Sequence, residues 1–162
     1  MSSVADQLPS ANDTYVANFG EKGSLALPPS KKVAIVTCMD ARIDPAAALG
    51  LPEGSAHIIR NAGGRAADAL RSLIISQQLL GTREVLVVHH TDCGMLTFTD
   101  AEIRDKLNHP DANHIAFLPF TDLERSVHED VDYIKRSVLL VPRFKITGWI
   151  YDVKTGKVEQ VV

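Results

Sequence analysis

A chain of 162 residues, 45% apolar and 23% charged, suits one soluble-type domain with a buried core. Its net charge of -3, with basic residues scattered and no run of five, gives no electrostatic reason for nucleic acid or an anionic membrane as partner. No stretch of eighteen apolar residues occurs, and the start MSSVADQLPSAND lacks the basic and apolar regions of a secretion signal, so the expected location is the cytoplasm.

Residues 1–31 are polar and carry Pro9, Pro28 and Pro29. They read as an arm with too few apolar residues for a core of its own, suited to packing on a neighbouring subunit. A short helix over about Asp13–Phe19, capped by Asn12 or Asp13, is expected in it; the rest reads as extended chain or loop.

Residues 32–162 read as a single α/β domain. Lys32–Thr37 is a β-branched apolar run, as in a strand buried on both faces, and it leads straight into Cys38-Met-Asp-Ala-Arg42. A second strand, Ala56–Ile59, leads into Arg60-Asn-Ala-Gly-Gly64, where paired glycines suit a close backbone approach. Leu70, Leu73, Ile74, Gln77 and Leu80 follow helical spacing, predicting a helix over Arg65–Leu80 that ends at Gly81. A third strand, Glu84–His89, runs into His90-Thr-Asp-Cys-Gly94. Strand, helix and strand in this order form a right-handed βαβ unit with a parallel sheet. Further helices are expected at about Thr99–Leu107 and Asp122–Ser137. A last strand, Lys145–Val153, is followed by a turn at Lys154–Lys157 and a short tail strand.

The chain has two cysteines, Cys38 and Cys93, each just past the carboxyl end of an apolar strand. Ligands of open α/β sheets bind at that edge. His90 and Cys93 form a His-x-x-Cys pair, and neighbouring strands would bring them to Cys38. Thiolate and imidazole suit zinc, and three protein ligands leave the fourth position open, as catalysis requires. The competing reading is that both cysteines are buried small hydrophobes. Asp40 and Arg42, two apart, point to one side of an extended loop. Arg42 as a bidentate partner would hold Asp40 off the metal, where it could orient a metal-bound water; the alternative is a surface salt bridge of little worth.

Cys38-x-Asp40-x-Arg42 followed by His90-x-x-Cys93, with Arg60-Asn-Ala-Gly63 and Asp92-Cys-Gly94, resembles the β-class carbonic anhydrases, most closely their short minimal branch. The resemblance covers about residues 30–100 and extends more loosely to the end. It implies Zn2+ on Cys38, His90 and Cys93, with Asp40 and Arg42 as a catalytic dyad. It implies a mostly parallel sheet with an added antiparallel strand, flanked by helices. It also implies a homodimer or homotetramer whose arm, residues 1–31, lies across a neighbour. The implied reaction is reversible hydration of carbon dioxide to bicarbonate by metal-bound hydroxide. The alternative is hydrolysis of carbonyl sulfide at the same zinc, since carbonyl sulfide and carbon disulfide hydrolases share the scaffold.

Among the remaining candidates, His89 should face away from the metal as a packed or hydrogen-bonded residue, and His57 is also read as structural. His109, His114 and His128 lie in polar segments and read as solvated. Arg60 could line the cleft, bind an anion or make a backbone or intersubunit contact. Asp92 is expected to accept a backbone N–H in the turn before Cys93. Ile115–Phe120 is either a lid or a packed loop.

Overall fold

The computed structural model describes residues 3–162. Its centre is one five-stranded sheet in the order β2-β1-β3-β4-β5. The strands are β1 (Val33–Cys38), β2 (Ala56–Asn61), β3 (Glu84–His90), β4 (Lys145–Tyr151) and β5 (Val158–Gln160). The first four are parallel, and β5 joins β4 antiparallel. This is the mostly parallel sheet with an added antiparallel strand that the sequence leads one to expect.

The chain starts at β1, steps out to β2, then returns past β1 to β3. The direction of winding therefore reverses between β1 and β3, and at such a reversal the loops beyond the carboxyl ends diverge and leave a crevice. Thr37 Oγ1 donates to the Val88 carbonyl at 2.8 Å, a buried tie between these two strands just below the crevice.

Five helices accompany the sheet: α1 (Val4–Ala17), α2 (Pro45–Ala48), α3 (Ala66–Gln78), α4 (Asp100–Leu107) and α5 (Leu123–Arg136). Alternation along the strands sends Ala34, Val36, Val85 and Val87 to one face. There they pack against Leu73 of α3 and Val127, Val131 and Ile134 of α5. Each fully buried aliphatic side chain contributes roughly 1.5–3 kcal/mol, so this layer is the main cohesive element. The opposite face carries Val33, Ile35, Leu86 and Trp149, with Leu49 and Leu51 as a thin cover, and keeps an open apolar groove.

Helix starts follow local chemistry. Thr99 and Glu102 form a reciprocal capping box on α4, and the Asp122 carboxylate accepts the Arg125 N–H to cap α5. The arm differs from expectation. In place of a short helix over Asp13–Phe19, α1 runs from Val4 to Ala17, because Ser3 and Asp6 form a capping box upstream, and Pro9 is carried inside it. None of the residues of α1 is buried. Glu53 ties its end and the turn that follows to the body, accepting from the Tyr15 hydroxyl at 3.4 Å and from Lys22 Nζ at 2.9 Å. Among the described residues no helix is long and apolar enough to cross a membrane.

Gly148 in β4 lies where α5 meets the chain's last residues. A Cβ there would strike Val127 Cγ1 and Val162 Cγ1 and crowd Val131 Cγ2 at 3.1 Å. Gly148→Ala is expected to lower stability by about 1–3 kcal/mol, the usual range for overpacking a filled core. Urea unfolding of the variant checks this, and an unchanged midpoint would mean that Val162 moves aside freely.

Candidate metal centre

Cys38 ends β1, His90 ends β3, and Cys93 sits three residues further on, opening a single 3-10 turn at Gly94–Leu96. All three are buried, and their donor atoms lie within 4.8 Å of one another. The pairing of β1 with β3 thus joins residues from two distant segments, and the three predicted ligands meet.

The environment of each donor favours metal binding. His90 Nδ1 lies 2.8 Å from the Thr91 carbonyl, which can only accept, so Nδ1 carries the proton and Nε2 keeps its lone pair. Nε2 is buried without a hydrogen-bond partner. An unpaired buried nitrogen is costly, and a cation would satisfy it. Cys38 Sγ accepts the Gly63 N–H at 3.3 Å. The Cys93 thiol beside it lowers the Cys38 thiol well below the ordinary thiol range, with His90 assisting against the cost of burial. The same shared proton, held by Cys38 and by burial, pushes Cys93 far above the ordinary thiol range. Two sulfurs competing for one proton beside an orphaned imidazole form a donor set that a divalent soft-to-borderline metal completes.

The loop carrying Cys38 is fixed from below. Gly64 adopts φ +67, and a Cβ on it would lie 2.9 Å from the Thr37 carbonyl carbon, so only glycine lets the two backbones approach. Asn61 brackets the same turn, accepting the Arg65 N–H at 2.7 Å and donating to the Arg65 carbonyl at 2.9 Å.

Asp40 and Arg42 stand beside the cluster. Arg42 Nε and Nη2 fork the Asp40 carboxylate at 3.0 and 2.7 Å, and the Arg42 N–H adds a third bond at 2.9 Å. The Arg42 fork holds the Asp40 carboxyl well below the usual carboxylate range. Asp40 Oδ2 is 3.7 Å from His90 Nε2, so the carboxylate faces the donor cluster. A cleft opens outward from here. Its wall is largely apolar, made by Met39, Ala41, Ala62, Gly63 and Met95.

Other candidates resolve as follows. Arg60 makes a backbone contact, donating to the Cys38 carbonyl at 3.0 Å and the Asp40 carbonyl at 2.7 Å; it holds the ligand loop. Asp92 departs from expectation. Its carboxylate pairs with Arg42 Nη1 at 2.7 Å, because a left-handed backbone (φ +54) swings the residue toward the other loop. His89 points away from the cluster, with Nδ1 at 2.7 Å from Ser126 Oγ and Nε2 at 3.1 Å from Asp130 Oδ2. His57 pairs with Ser76 Oγ at 2.8 Å, and His109, His114 and His128 are exposed. In the segment 115–120 only the end is packed, with Phe120 buried and stacked on His89 while Ile115 and Ala116 are exposed. No sequence signal beyond the Arg-Asn-Ala-Gly-Gly run pointed to the Arg60 clamp or the Gly63 N–H on sulfur.

Comparison with known proteins places these features in context. A family model described as carbonic anhydrase matches residues 33–117. β-Carbonic anhydrase 1 of Mycobacterium tuberculosis is 43% identical over 157 residues, spanning 92% of this chain and 96% of its own. The solved structure of a carbonic anhydrase from Glaciozyma antarctica superposes with a TM-score of 0.95 at 53% identity, covering both chains completely. A carbon disulfide hydrolase of Saccharolobus solfataricus is 30% identical over 161 residues, covering 83% of this chain and 79% of its own.

Proposed function

This chain belongs to the β-carbonic anhydrase family, and on that premise we propose that it is a zinc enzyme interconverting carbon dioxide and bicarbonate. The observation that carries the reading is the meeting of three buried soft donors at the mouth of an apolar cleft, with an ionised carboxylate held beside them. Cys38 Sγ, His90 Nε2 and Cys93 Sγ would hold the zinc. When bound, zinc supplies Lewis acidity that makes water a nucleophile near neutral pH. Asp40 would accept a hydrogen bond from a water held there and orient it, and the Arg42 fork holds the carboxylate to one side of the donor cluster. Met39, Ala41, Ala62 and Met95 make a wall that accommodates a small, linear, neutral molecule and offers a charged one little besides Arg42.

The chain also has surfaces that support assembly with further copies. Helix α1 leaves Val4, Leu8 and Val16 exposed, Phe19 just after it is exposed too, and the groove over β1, β3 and β4 is an uncovered apolar face. Contiguous exposed apolar area of this kind marks interaction sites. We read residues 1–31 as an arm that packs on a neighbouring subunit of a homodimer or a larger homo-oligomer, and residues 32–162 as the catalytic domain.

A second reading, hydrolysis of carbonyl sulfide or carbon disulfide, is favoured by one feature. Two polarizable thioethers, Met39 and Met95, stand in the wall, and Met39 is 64% exposed at its rim. The readings part in a side-by-side assay of the purified zinc form. Carbon dioxide hydration is expected to exceed sulfide release from either sulfur substrate by more than about tenfold in kcat/KM, on the order of 1.4 kcal/mol of transition-state preference. Sulfide release that outpaces hydration would reverse the assignment.

A further inference from the structure

We propose that Asp92 is a positioning residue that decides whether the metal position stays open: it anchors Arg42 so that Arg42 can hold Asp40 away. The inference rests on the reading that Cys38, His90 and Cys93 take zinc. Its basis is the route of the Arg42 guanidinium between two loops. On one side it forks both Asp40 oxygens. On the other, Nη1 donates to Asp92 Oδ2 at 2.7 Å and Nη2 to the Asp92 carbonyl at 3.0 Å. Asp92 lies between the ligands His90 and Cys93, so Arg42 spans from the loop after β1 to the loop after β3.

The consequence follows from where Asp40 stands. Its Oδ2, 3.7 Å from His90 Nε2, is close enough to become a fourth ligand once its partner lets go. Arg60 secures only the backbone of this loop, through the Cys38 and Asp40 carbonyls. Among the described residues, the hydrogen bonds to the Asp40 side chain all come from Arg42, on the residue's own loop. Arg42 is itself half-exposed, and among the described residues its other anchor is Asp92. Without the Asp92 carboxylate Nη1 loses its acceptor and only the backbone carbonyl bond to Nη2 remains across the two loops, so the guanidinium and the carboxylate it forks are held less firmly in place. The competing view is a plain surface salt bridge; Asp92 is 69% exposed, and a pair so exposed adds little to stability. Stability is therefore the quantity that should not change.

The test uses the full chain, stripped of metal and reloaded with Co2+, comparing wild type with Asp92→Ala and Asp92→Glu. For Asp92→Ala the Tm of the metal-free protein is expected to match wild type. Co2+ should be held more tightly and show an altered d–d spectrum, and kcat for carbon dioxide should fall about tenfold with KM little changed, in the range seen when groups supporting metal ligands are removed. Adding Asp40→Asn to Asp92→Ala should return the Co2+ affinity to that of Asp40→Asn alone, and Asp92→Glu should restore the wild-type spectrum. A wild-type spectrum and affinity in Asp92→Ala would overturn the proposal. Weaker Co2+ binding together with a lowered Tm would overturn it as well, since that is what a merely structural residue gives. A wild-type chain that takes up no Co2+ would instead overturn the metal reading, and this inference with it.

Discussion

Cys38→Ser is expected to strip the chain of its metal and to lower carbon dioxide hydration by on the order of 10³-fold or more, since without a Lewis acid the pKa of water stays near 15.7 instead of about 7. The change is nearly isosteric at a buried position, so the fold should survive it. What is lost is the thiolate. The neighbouring thiol lowers the Cys38 pKa, and Cys38 Sγ also receives the Gly63 N–H at 3.3 Å, a bond that favours the thiolate. A serine hydroxyl does not ionise in this range and is a harder ligand than zinc prefers. The remaining imidazole and thiol, on one loop, make a two-point site. Metal analysis of carefully prepared protein, beside circular dichroism and a hydration assay, reads all three quantities. One zinc per chain retained by the variant at wild-type activity would remove Cys38 from the ligand set.

Asp130→Ala should be the most damaging single substitution away from the cluster, lowering stability by about 3–5 kcal/mol, the range for breaking a buried ion pair from one side. Asp130 is 3% exposed and lies between two partners: Arg65 Nη2 at 3.3 Å and His89 Nε2 at 3.1 Å. Arg65 Nε and Nη1 are buried with no hydrogen bond, so removing Asp130 leaves a guanidinium without its counter-charge. His89, one residue before His90, loses one of its two partners on α5, keeping Ser126. Urea unfolding gives the size of the loss, and adding Arg65→Leu should recover a large part of it because no orphan charge remains. A loss under about 1 kcal/mol, the size typical of exposed pairs, would show that water reaches Arg65 and that the pair is not buried in practice.

Much of this architecture is readable from local sequence. The apolar runs at Val33–Val36 and Val85–Val88 name two central strands, and each is followed at once by a thiol or imidazole that strand direction carries to the same edge. Thr99 with Glu102 and Asp122 announce the starts of α4 and α5 through bonds that span only three residues. That Cys38, His90 and Cys93 gather with Asp40 and Arg42 beside them was legible for the same reason: position relative to a strand end requires no knowledge of distant partners. What escaped falls into two groups. Helix α1 was under-read because Pro9 looks like a break, while the capping box that starts the helix lies further upstream. The bonds from Arg60 to the 38–40 loop, from Asp92 to Arg42 and from Asp130 to Arg65 and His89 join residues twenty to sixty-five positions apart. Side-chain type says such groups need partners, and only the assembled fold says which.

The long loop between the donor-bearing strands has a kinetic meaning. Thr37 and Val88, paired across β1 and β3, are 51 positions apart, and the second strand of the sheet must leave and the chain return before they meet. Closing so long a loop is slow, because its entropy is spent before any contact repays it. A refolding chain therefore cannot chelate until that central ladder exists, and the colour of bound cobalt would act as a clock for the moment the middle of the sheet zips together.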